Sequence, residues 1–260
     1  MNNTLIIILG ISITFIANFL GSFIVFFLKK ELSPKLNSLI NGFSAGIMIS
    51  ACVWGLILPS IESSNHMGNF EFVPALVGII SGCLFMLFIG FLINVINKKG
   101  KNQISETRLK TTKFVVAFAL HNIPEGLAIG FTLGNALTAG TNSAMMFALA
   151  LCIGIAIQNL PEGAVVSLPV YKNTKNKTKA FFSGVLSGAL EPISAIIGLL
   201  LASELQLIMP WLLAFSAGAI MFVSINDLIP EAKQEHNSTL GTWSFVIGFL
   251  IMMVLDLYLA

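Results

Sequence analysis

The chain has 260 residues, of which 56% are hydrophobic and only 10% are charged, and its formal net charge is +2. A typical soluble domain carries roughly 25% charged residues. A soluble fold of this size could not cover its surface with so few charges at a mean hydropathy of +0.89. The composition therefore excludes a soluble protein and indicates an integral membrane protein.

Eight apolar stretches are long enough to cross a bilayer, since a span needs about 20 residues to traverse a hydrocarbon core roughly 30 Å thick. No connection between them is long enough for a soluble domain, so we expect residues 1–260 to form a single all-α transmembrane domain. The first stretch lacks the basic start of a signal peptide and is expected to remain as a helix. The predicted spans are 4–28, 36–61, 73–96, 114–138, 143–170, 181–203, 209–230 and 240–259.

The basic residues all fall on one side of the predicted membrane. Each lies in a connection that follows an odd-numbered span, whereas the opposite side carries Glu62, Glu71 and Glu204 and no Lys or Arg. The positive-inside rule then predicts cytoplasmic basic connections and both termini outside, in the plasma (inner) membrane. The basic residues are Lys29, Lys30, Lys35, Lys98, Lys99, Lys101, Arg108, Lys110, Lys113, Lys172, Lys175, Lys177, Lys179 and Lys233.

The basic connections are short and lie next to the membrane. The lipid bilayer is therefore their expected neighbour, and a nucleic-acid surface is not expected. We expect the connection at 97–113 to be solvated, with contact to anionic lipid as the alternative.

A short motif suggests that the two ends of the chain are related by an inverted repeat. Phe-Ser-Ala-Gly occurs at 43–46 in the second span and again at 215–218 in the seventh, and Pro59 and Pro230 follow at nearly the same distance. The two spans run in opposite directions. Inverted repeats of this kind are typical of secondary transporters.

A six-residue polar pattern occurs in both the fourth and the fifth span. Residues 121–126 read His-Asn-Ile-Pro-Glu-Gly, and residues 158–163 read Gln-Asn-Leu-Pro-Glu-Gly. At about 100° per residue, the first and fifth positions of each hexad share one helical face, and the second lies to its side. The side chains so placed are His121, Asn122, Glu125, Gln158, Asn159 and Glu162.

The hexad prolines are expected to disturb both helices. Pro124 cannot donate to the carbonyl of Leu120, and Pro161 cannot donate to that of Ile157. Irregular backbone at membrane depth is tolerated where it lines protein or a wet cavity. The sequence therefore predicts two kinked helices with a polar cavity at their seam.

Two further acids lie at membrane depth. Glu191 sits in the middle of the sixth span, directly before Pro192, and Asp227 lies in the seventh span beside Asn226. With the two hexad glutamates they make four carboxylates, which would cost on the order of 10 kcal/mol if they were ionised and unpaired. No predicted span contains a Lys or Arg to compensate them.

The compensating charge must then come from protons or from metal cations. Two divalent ions would neutralise four carboxylates. His121 favours a metal, because imidazole and carboxylate together form a ligand set for transition metals. Met48 could add a thioether, although packing is its simpler interpretation, as it is for the three cysteines, Cys52, Cys83 and Cys152.

These residues resemble the ZIP family of divalent-metal transporters (zinc-regulated, iron-regulated transporter-like proteins), and its bacterial branch in particular. The resemblance covers the whole chain through the eight spans, the outside termini, the basic 97–113 connection and the doubled hexad. It implies a 3+2+3 arrangement, in which helices 1–3 and 6–8 form an inverted repeat around helices 4 and 5. It also implies that metal moves toward the cytoplasm through a central two-metal site.

The resemblance implies a role for each polar residue of the hexads. One metal would be bound by His121, Glu125, Gln158 and Glu162. The neighbouring metal would be bound by Asn122, Glu125, Asn159, Glu162 and Glu191, with Glu125 and Glu162 bridging the two ions. Met48 and Asp227 match positions on the family's transport pathway.

Two departures from the family pattern bear on the substrate. Many members carry a second histidine where this chain has Gln158, so its first site has one imidazole and more oxygen. That widens the expected substrates from Zn²⁺ toward Fe²⁺, Mn²⁺ and Co²⁺. The 97–113 connection contains no histidine, which argues against a metal-collecting role for it.

The sequence therefore predicts a divalent transition-metal importer with the metal as substrate, no cofactor and no enzymatic activity. A carboxylate-based proton or magnesium carrier is the alternative, although Mg²⁺ prefers oxygen ligands and His121 argues against it. An intramembrane metalloenzyme is a weaker alternative, since the chain has no HExxH motif. The sequence leaves open whether the unit is a homodimer.

Overall fold

The computed structural model describes residues 3–28, 33–99, 105–233 and 239–259, and their secondary structure is entirely helical. Eight helices in these ranges are long and apolar enough to cross a membrane, as the sequence predicts. Lys29, Lys30 and Lys101 of the predicted basic connections lie outside the described residues. The eight helices are α1 Asn3–Phe26, α2 Pro34–Glu62, α3 Val73–Lys99, α4 Glu106–Ala139, α5 Asn142–Thr174, α6 Lys177–Leu200, α7 Met209–Ala232 and α8 Leu240–Leu259.

Helix α4 is longer than its predicted span and takes up part of the 97–113 connection. It begins at Glu106, whose negative charge in the first turn suits the positive end of the helix dipole. It ends at Ala139, and the next residue, Gly140, has a left-handed φ of 66° that favours glycine. Most of the basic residues predicted in this connection therefore lie on helix ends.

Helices α2 and α7 each contain a π-helical segment, which the sequence analysis did not predict. The segments are Cys52–Ile57 and Ser224–Leu228, and each ends shortly before a helical proline. Leu58 and Ile229 donate to carbonyls five residues earlier, at Val53 and Ser224. The wider turn fits the local loss of a proline N–H.

A helix interruption lies beside a proline in α6. This helix is interrupted at Ala189, between the helical segments Lys177–Gly188 and Leu190–Leu200, immediately before Glu191 and Pro192. Helices α4 and α5 instead remain continuously helical through Pro124 and Pro161. The two hexads, for which kinked helices were predicted, therefore lie on unbroken helices, and the break is on the helix that carries Glu191.

The helices form two bundles, and one internal repeat relates the helices within each bundle. Helix α1 packs mainly against α5 and α4 against α6, while α2 packs mainly against α8 and α3 against α7. Exchanging α1 with α6, α2 with α7, α3 with α8 and α4 with α5 converts each of these pairs into another. The contacts therefore support the predicted inverted repeat, and they group α4 and α5 with α1 and α6.

Glycines bring the paired helices into close contact, and they do so at equivalent places. A Cβ atom on Gly46 of α2 would lie 2.1 Å from the carbonyl oxygen of Phe245 in α8, and one on Gly218 of α7 would lie 2.2 Å from that of Ile79 in α3. Both glycines end a Phe-Ser-Ala-Gly motif. Small residues at such contacts let membrane helices pack backbone to backbone.

Polar contacts join helix ends at each of the two ends of the bundle. Lys177 Nζ donates to the carbonyls of Phe26 (3.1 Å) and Leu28 (2.6 Å), joining the end of α1 to the start of α6. At the other end of the bundle, the Ser60 hydroxyl of α2 donates to the carbonyl of Pro210 in α7 (2.7 Å). Which end faces the cytoplasm remains a prediction from the basic residues.

Candidate metal centre

The two hexads meet at the seam between α4 and α5. His121, Glu125 and Glu162 are at most 3% exposed, and one ligand atom from each lies within 4.8 Å of the others. His121 Nε2 lies 3.4 Å from Glu162 Oε1 and 3.9 Å from Glu125 Oε2. The structure thus brings together the imidazole and both bridging carboxylates that the sequence predicts.

Gln158 joins the same group through its side-chain amide. Its Nε2 donates to Glu125 Oε1 at 2.6 Å and to Glu162 Oε1 at 3.2 Å. A half-turn of this amide would present its oxygen instead, as a metal ligand requires. His121 is oriented at its other nitrogen, since Nδ1 lies 3.4 Å from the carbonyl oxygen of Ala117.

The hexad asparagines and Glu191 form an adjoining part of the centre. Asn159 Nδ2 donates to Glu191 Oε2 at 2.5 Å and to the carbonyl of Thr14 in α1 at 3.2 Å. Asn122 Nδ2 donates to the carbonyl of Ser187 in α6 at 3.0 Å. Both amide nitrogens are thus held by neighbouring helices, which leaves the amide oxygens available to a cation.

Six polar atoms of this centre are buried without hydrogen-bond partners. An unpaired buried polar group costs about 1–3 kcal/mol, and a cation bound among these atoms would satisfy several at once. Their chemistry fits a transition-metal ion, which accepts imidazole nitrogen together with carboxylate and amide oxygen. The unpartnered atoms are His121 Nε2, Asn122 Oδ1, Glu125 Oε2, Asn159 Oδ1, Glu162 Oε2 and Glu191 Oε1.

Met48 and Asp227 lie on the other bundle. Met48 is 1% exposed and belongs to a buried cluster that includes Val165 of α5. The Ser224 hydroxyl approaches its sulfur at 3.9 Å. Asp227 lies in the π-helical segment of α7, where its carboxylate accepts a hydrogen bond from Asn226 at 2.9 Å. The described contacts do not join Asp227 to the hexads, and its place on a transport pathway stays a prediction.

A cavity of about 970 Å³ opens where the two bundles meet. Its walls include Glu62 of α2 and Asp256 of α8, together with Asn135 of α4. These residues lie near the same end of the bundle as Ser60, on the side predicted to face outward. The cavity therefore provides a space between the bundles on that side that could hold many water molecules and is lined in part by acidic residues.

The sequence analysis assigned no site residue to α1. The carbonyl of Thr14 nevertheless holds Asn159, just as the carbonyl of Ser187 in α6 holds Asn122. A signal was present in the sequence, because Thr14 and Asn18 are polar residues one helical turn apart in a long apolar span. Helix α1 therefore forms part of the wall of the metal centre.

Comparison with known proteins gives a consistent result. The family model described as the ZIP zinc transporter matches residues 96–256. The chain is 32% identical to the zinc transporter ZupT of Clostridium perfringens, over 98% of this chain and 96% of that protein. It is 30% identical to the zinc transporter ZIPB of Bordetella bronchiseptica, over 96% of this chain and 80% of that protein.

A vertebrate protein is related over a similar length. The zinc transporter ZIP11 of Xenopus tropicalis is 29% identical over 96% of each chain. The family model covers more than half of this chain, and its matched region contains both hexads and Glu191. The chain therefore belongs to the ZIP family.

Proposed function

We propose that this protein carries divalent transition-metal cations across the plasma (inner) membrane into the cytoplasm, with Zn²⁺ as the first candidate substrate. Fe²⁺, Mn²⁺, Co²⁺ and Cd²⁺ are further candidates, because Gln158 replaces a second imidazole. The metal is the transported substrate, and the proposal includes no cofactor and no enzymatic reaction. Zinc is the metal in the names of the related proteins.

One observation carries the proposal. His121, Glu125 and Glu162 present ligand atoms within 4.8 Å of one another on two membrane helices, and all three residues are buried. Carboxylates at this depth need compensating positive charge. A divalent transition-metal ion would supply that charge and would also bind the imidazole of His121. Two ions would share the centre, with Glu125 and Glu162 between them.

The two-bundle architecture supports transport by alternating access. All the proposed ligands in the hexads and on α6 belong to one bundle, and the acidic cavity separates that bundle from the other on one side. Mixed oxygen and nitrogen ligands also suit a carrier, because the ion must be released after it binds. Movement of one bundle against the other would expose the centre to each side in turn.

Uptake into proteoliposomes tests the proposal directly. Purified wild-type protein is expected to give saturable uptake of Zn²⁺, and both His121→Ala and Glu125→Gln are expected to abolish most of it. His66→Ala changes a histidine on the connection between α2 and α3 and serves as the matched control. Absence of uptake of any of the five metals by folded wild-type protein would refute the proposal.

The magnesium or proton carrier remains the rival to be separated from this proposal. Mg²⁺ keeps oxygen ligands and bound water, so the imidazole of His121 would add little to the affinity for Mg²⁺. Zn²⁺ uptake that persists in a hundredfold excess of Mg²⁺ is expected for a transition-metal carrier. Competition by Mg²⁺ at equal concentration would favour the rival.

A further inference from the structure

Helix α1 carries a buried polar side chain that has no role in the proposed site. Asn18 is 1% exposed, and its Oδ1 has no hydrogen-bond partner. A buried amide oxygen without a partner costs free energy, so its retention in an apolar helix calls for a compensating interaction. The same condition holds for the oxygens of Asn122 and Asn159 in the metal centre.

Hydrogen bonds place α1 and α6 in equivalent positions beside the hexads. Asn159 of α5 donates to the carbonyl of Thr14, and Asn122 of α4 donates to that of Ser187. The hydroxyls of Thr14 and Ser187 each donate to a carbonyl three residues earlier in their own helix, at 3.1 and 2.7 Å. Thr14 is therefore the internal-repeat counterpart of Ser187.

The next turn of each helix extends this correspondence. Asn18 follows Thr14 at the same spacing as Glu191 follows Ser187. A Cβ on Gly163, the last hexad residue in α5, would lie 2.1 Å from the carbonyl oxygen of Asn18. A Cβ on Gly126, the last hexad residue in α4, would lie 2.2 Å from that of Glu191. Asn18 thus occupies the place in one half of the repeat that Glu191 occupies in the other.

The side chain of Asn18 lies against the part of α6 that carries the centre. A Cβ on Gly188 would lie 2.6 Å from Asn18 Oδ1. Gly188 directly follows Ser187, whose carbonyl accepts the amide hydrogen bond of Asn122. The carboxamides of Asn18 and Asn122 therefore both lie at the turn of α6 that contains Ser187 and Gly188. This arrangement parallels the contact between Asn159 and Glu191.

We propose that Asn18 Oδ1 is an additional oxygen ligand for a transported divalent cation, in the part of the centre formed by Asn122, Asn159 and Glu191. This inference rests on the proposed transport function. It assigns α1 a direct contact with the substrate. It also gives every proposed ligand of the centre a counterpart in the other half of the internal repeat. The repeat pairs His121 with Gln158, Asn122 with Asn159, Glu125 with Glu162, and Asn18 with Glu191.

The neutral amide at this position also has a consequence for release. The centre holds three buried carboxylates, Glu125, Glu162 and Glu191, so two divalent ions leave it with excess positive charge. A carboxylate in place of Asn18 would balance two ions, and affinity for a cation rises with the number of charged ligands. Tighter binding slows the departure of an ion from a transport site.

Two nearly isosteric variants test the assignment. Purified full-length protein in detergent is titrated with Zn²⁺ alone, and Zn²⁺ uptake is followed in proteoliposomes. Asn18→Leu removes the oxygen and is expected to weaken the binding of one Zn²⁺ by about tenfold or more. Asn18→Asp retains an oxygen, and it is expected to bind Zn²⁺ more tightly than wild type while the maximal uptake rate falls.

A matched control variant and a folding measurement separate the loss of a ligand from a general loss of structure. Asn41 of α2 is also buried, but its amide donates to the carbonyl of Asn37 in its own helix at 2.8 Å, so Asn41→Leu should leave Zn²⁺ affinity unchanged. Thermal unfolding in detergent identifies any variant that fails to fold. If Asn18→Leu fails to fold, the affinity and uptake rate of Asn18→Asp test the assignment.

Equal Zn²⁺ affinity in wild type and folded Asn18→Leu would overturn the Asn18 assignment while wild-type uptake still upheld transport. Unchanged affinity and uptake rate in Asn18→Asp would likewise overturn it. Absence of Zn²⁺ binding and uptake in wild type would overturn the proposed function and the Asn18 assignment together.

Discussion

The single side-chain nitrogen of Gln158 donates to the carboxylates of both hexads, at 2.6 Å to Glu125 and 3.2 Å to Glu162. Gln158 therefore takes the place between the two acids that an ion would also take. Binding of a metal requires this amide to turn or withdraw, so residue 158 is placed to influence which metal binds.

Replacing Gln158 with histidine is expected to favour Zn²⁺ over Mn²⁺. The variant offers a second imidazole near His121, and nitrogen ligands suit Zn²⁺ better than the harder Mn²⁺. We expect the ratio of Zn²⁺ to Mn²⁺ affinity to rise on the order of tenfold, measured by competition in detergent. Gln206→His, an exposed position, is the control, and an unchanged ratio in Gln158→His would contradict a ligand role.

Replacing Glu191 with glutamine is expected to weaken the half of the centre near Asn159. The change removes one negative charge, whereas the group of His121, Glu125 and Glu162 keeps its ligands. The number of Zn²⁺ ions bound at micromolar concentration should fall from two to one, as measured by equilibrium dialysis. Two ions still bound with wild-type affinity would show that Glu191 is not a ligand.

Glu204 provides the control for this experiment. It lies outside the transmembrane helices and is exposed, and the hydrogen bond from the Ser203 hydroxyl at 2.7 Å lowers the pKa of its carboxyl. It is therefore ionised at neutral pH, so Glu204→Gln removes the same charge as Glu191→Gln. Zn²⁺ stoichiometry should not change in Glu204→Gln.

Replacing Gly46 or Gly218 with alanine is expected to destabilise the bundle formed by α2, α3, α7 and α8. The added Cβ would meet a backbone carbonyl on the partner helix at 2.1 or 2.2 Å, and backbone cannot yield as a side-chain tip can. Overpacking of this kind costs about 1–3 kcal/mol and should lower the thermal midpoint in detergent. Gly90→Ala has open space around its Cβ and should leave the midpoint within error; an equal loss there would refute the packing explanation.

Cysteine labelling checks the predicted orientation. In a variant whose native cysteines are replaced by alanine, Ser203→Cys is expected to react with a membrane-impermeant maleimide on intact cells. Lys179→Cys should react only after the membrane is permeabilised, because its basic connection is predicted to be cytoplasmic. Both positions are exposed, and the reverse labelling pattern would invert the topology.

The sequence predicts the spans well, and it draws attention to the hexad carboxylates, for a physical reason. Charged and amide groups are costly at membrane depth, so Glu125 and Glu162 stand out in an apolar helix without any knowledge of packing. Asn18 and Thr14 give a weaker signal, because uncharged polar residues in an apolar span also occur as packing residues. Only the contact of α1 with α5 and α6 relates Asn18 to Glu191.

The places where the backbone departs from regular α-helix were predictable only in part. Pro192 lies beside the interruption of α6, whereas α4 continues through Pro124. A proline removes one N–H wherever it occurs, but neighbouring helices decide whether the backbone then breaks, widens or continues. The π-helical segments of α2 and α7 depend on such contacts, which a single sequence does not contain.

The interhelical hydrogen bonds described above all join helices of the same bundle. Asn122 binds α6 from α4, Lys177 binds α1 from α6, and Ser60 binds α7 from α2. A buried apolar cluster that includes Met48 and Val165, in contrast, spans the two bundles. Apolar contacts are non-directional and can re-form after a small shift, so this boundary suits the proposed movement of one bundle against the other, in which the polar bonds within each bundle would stay intact.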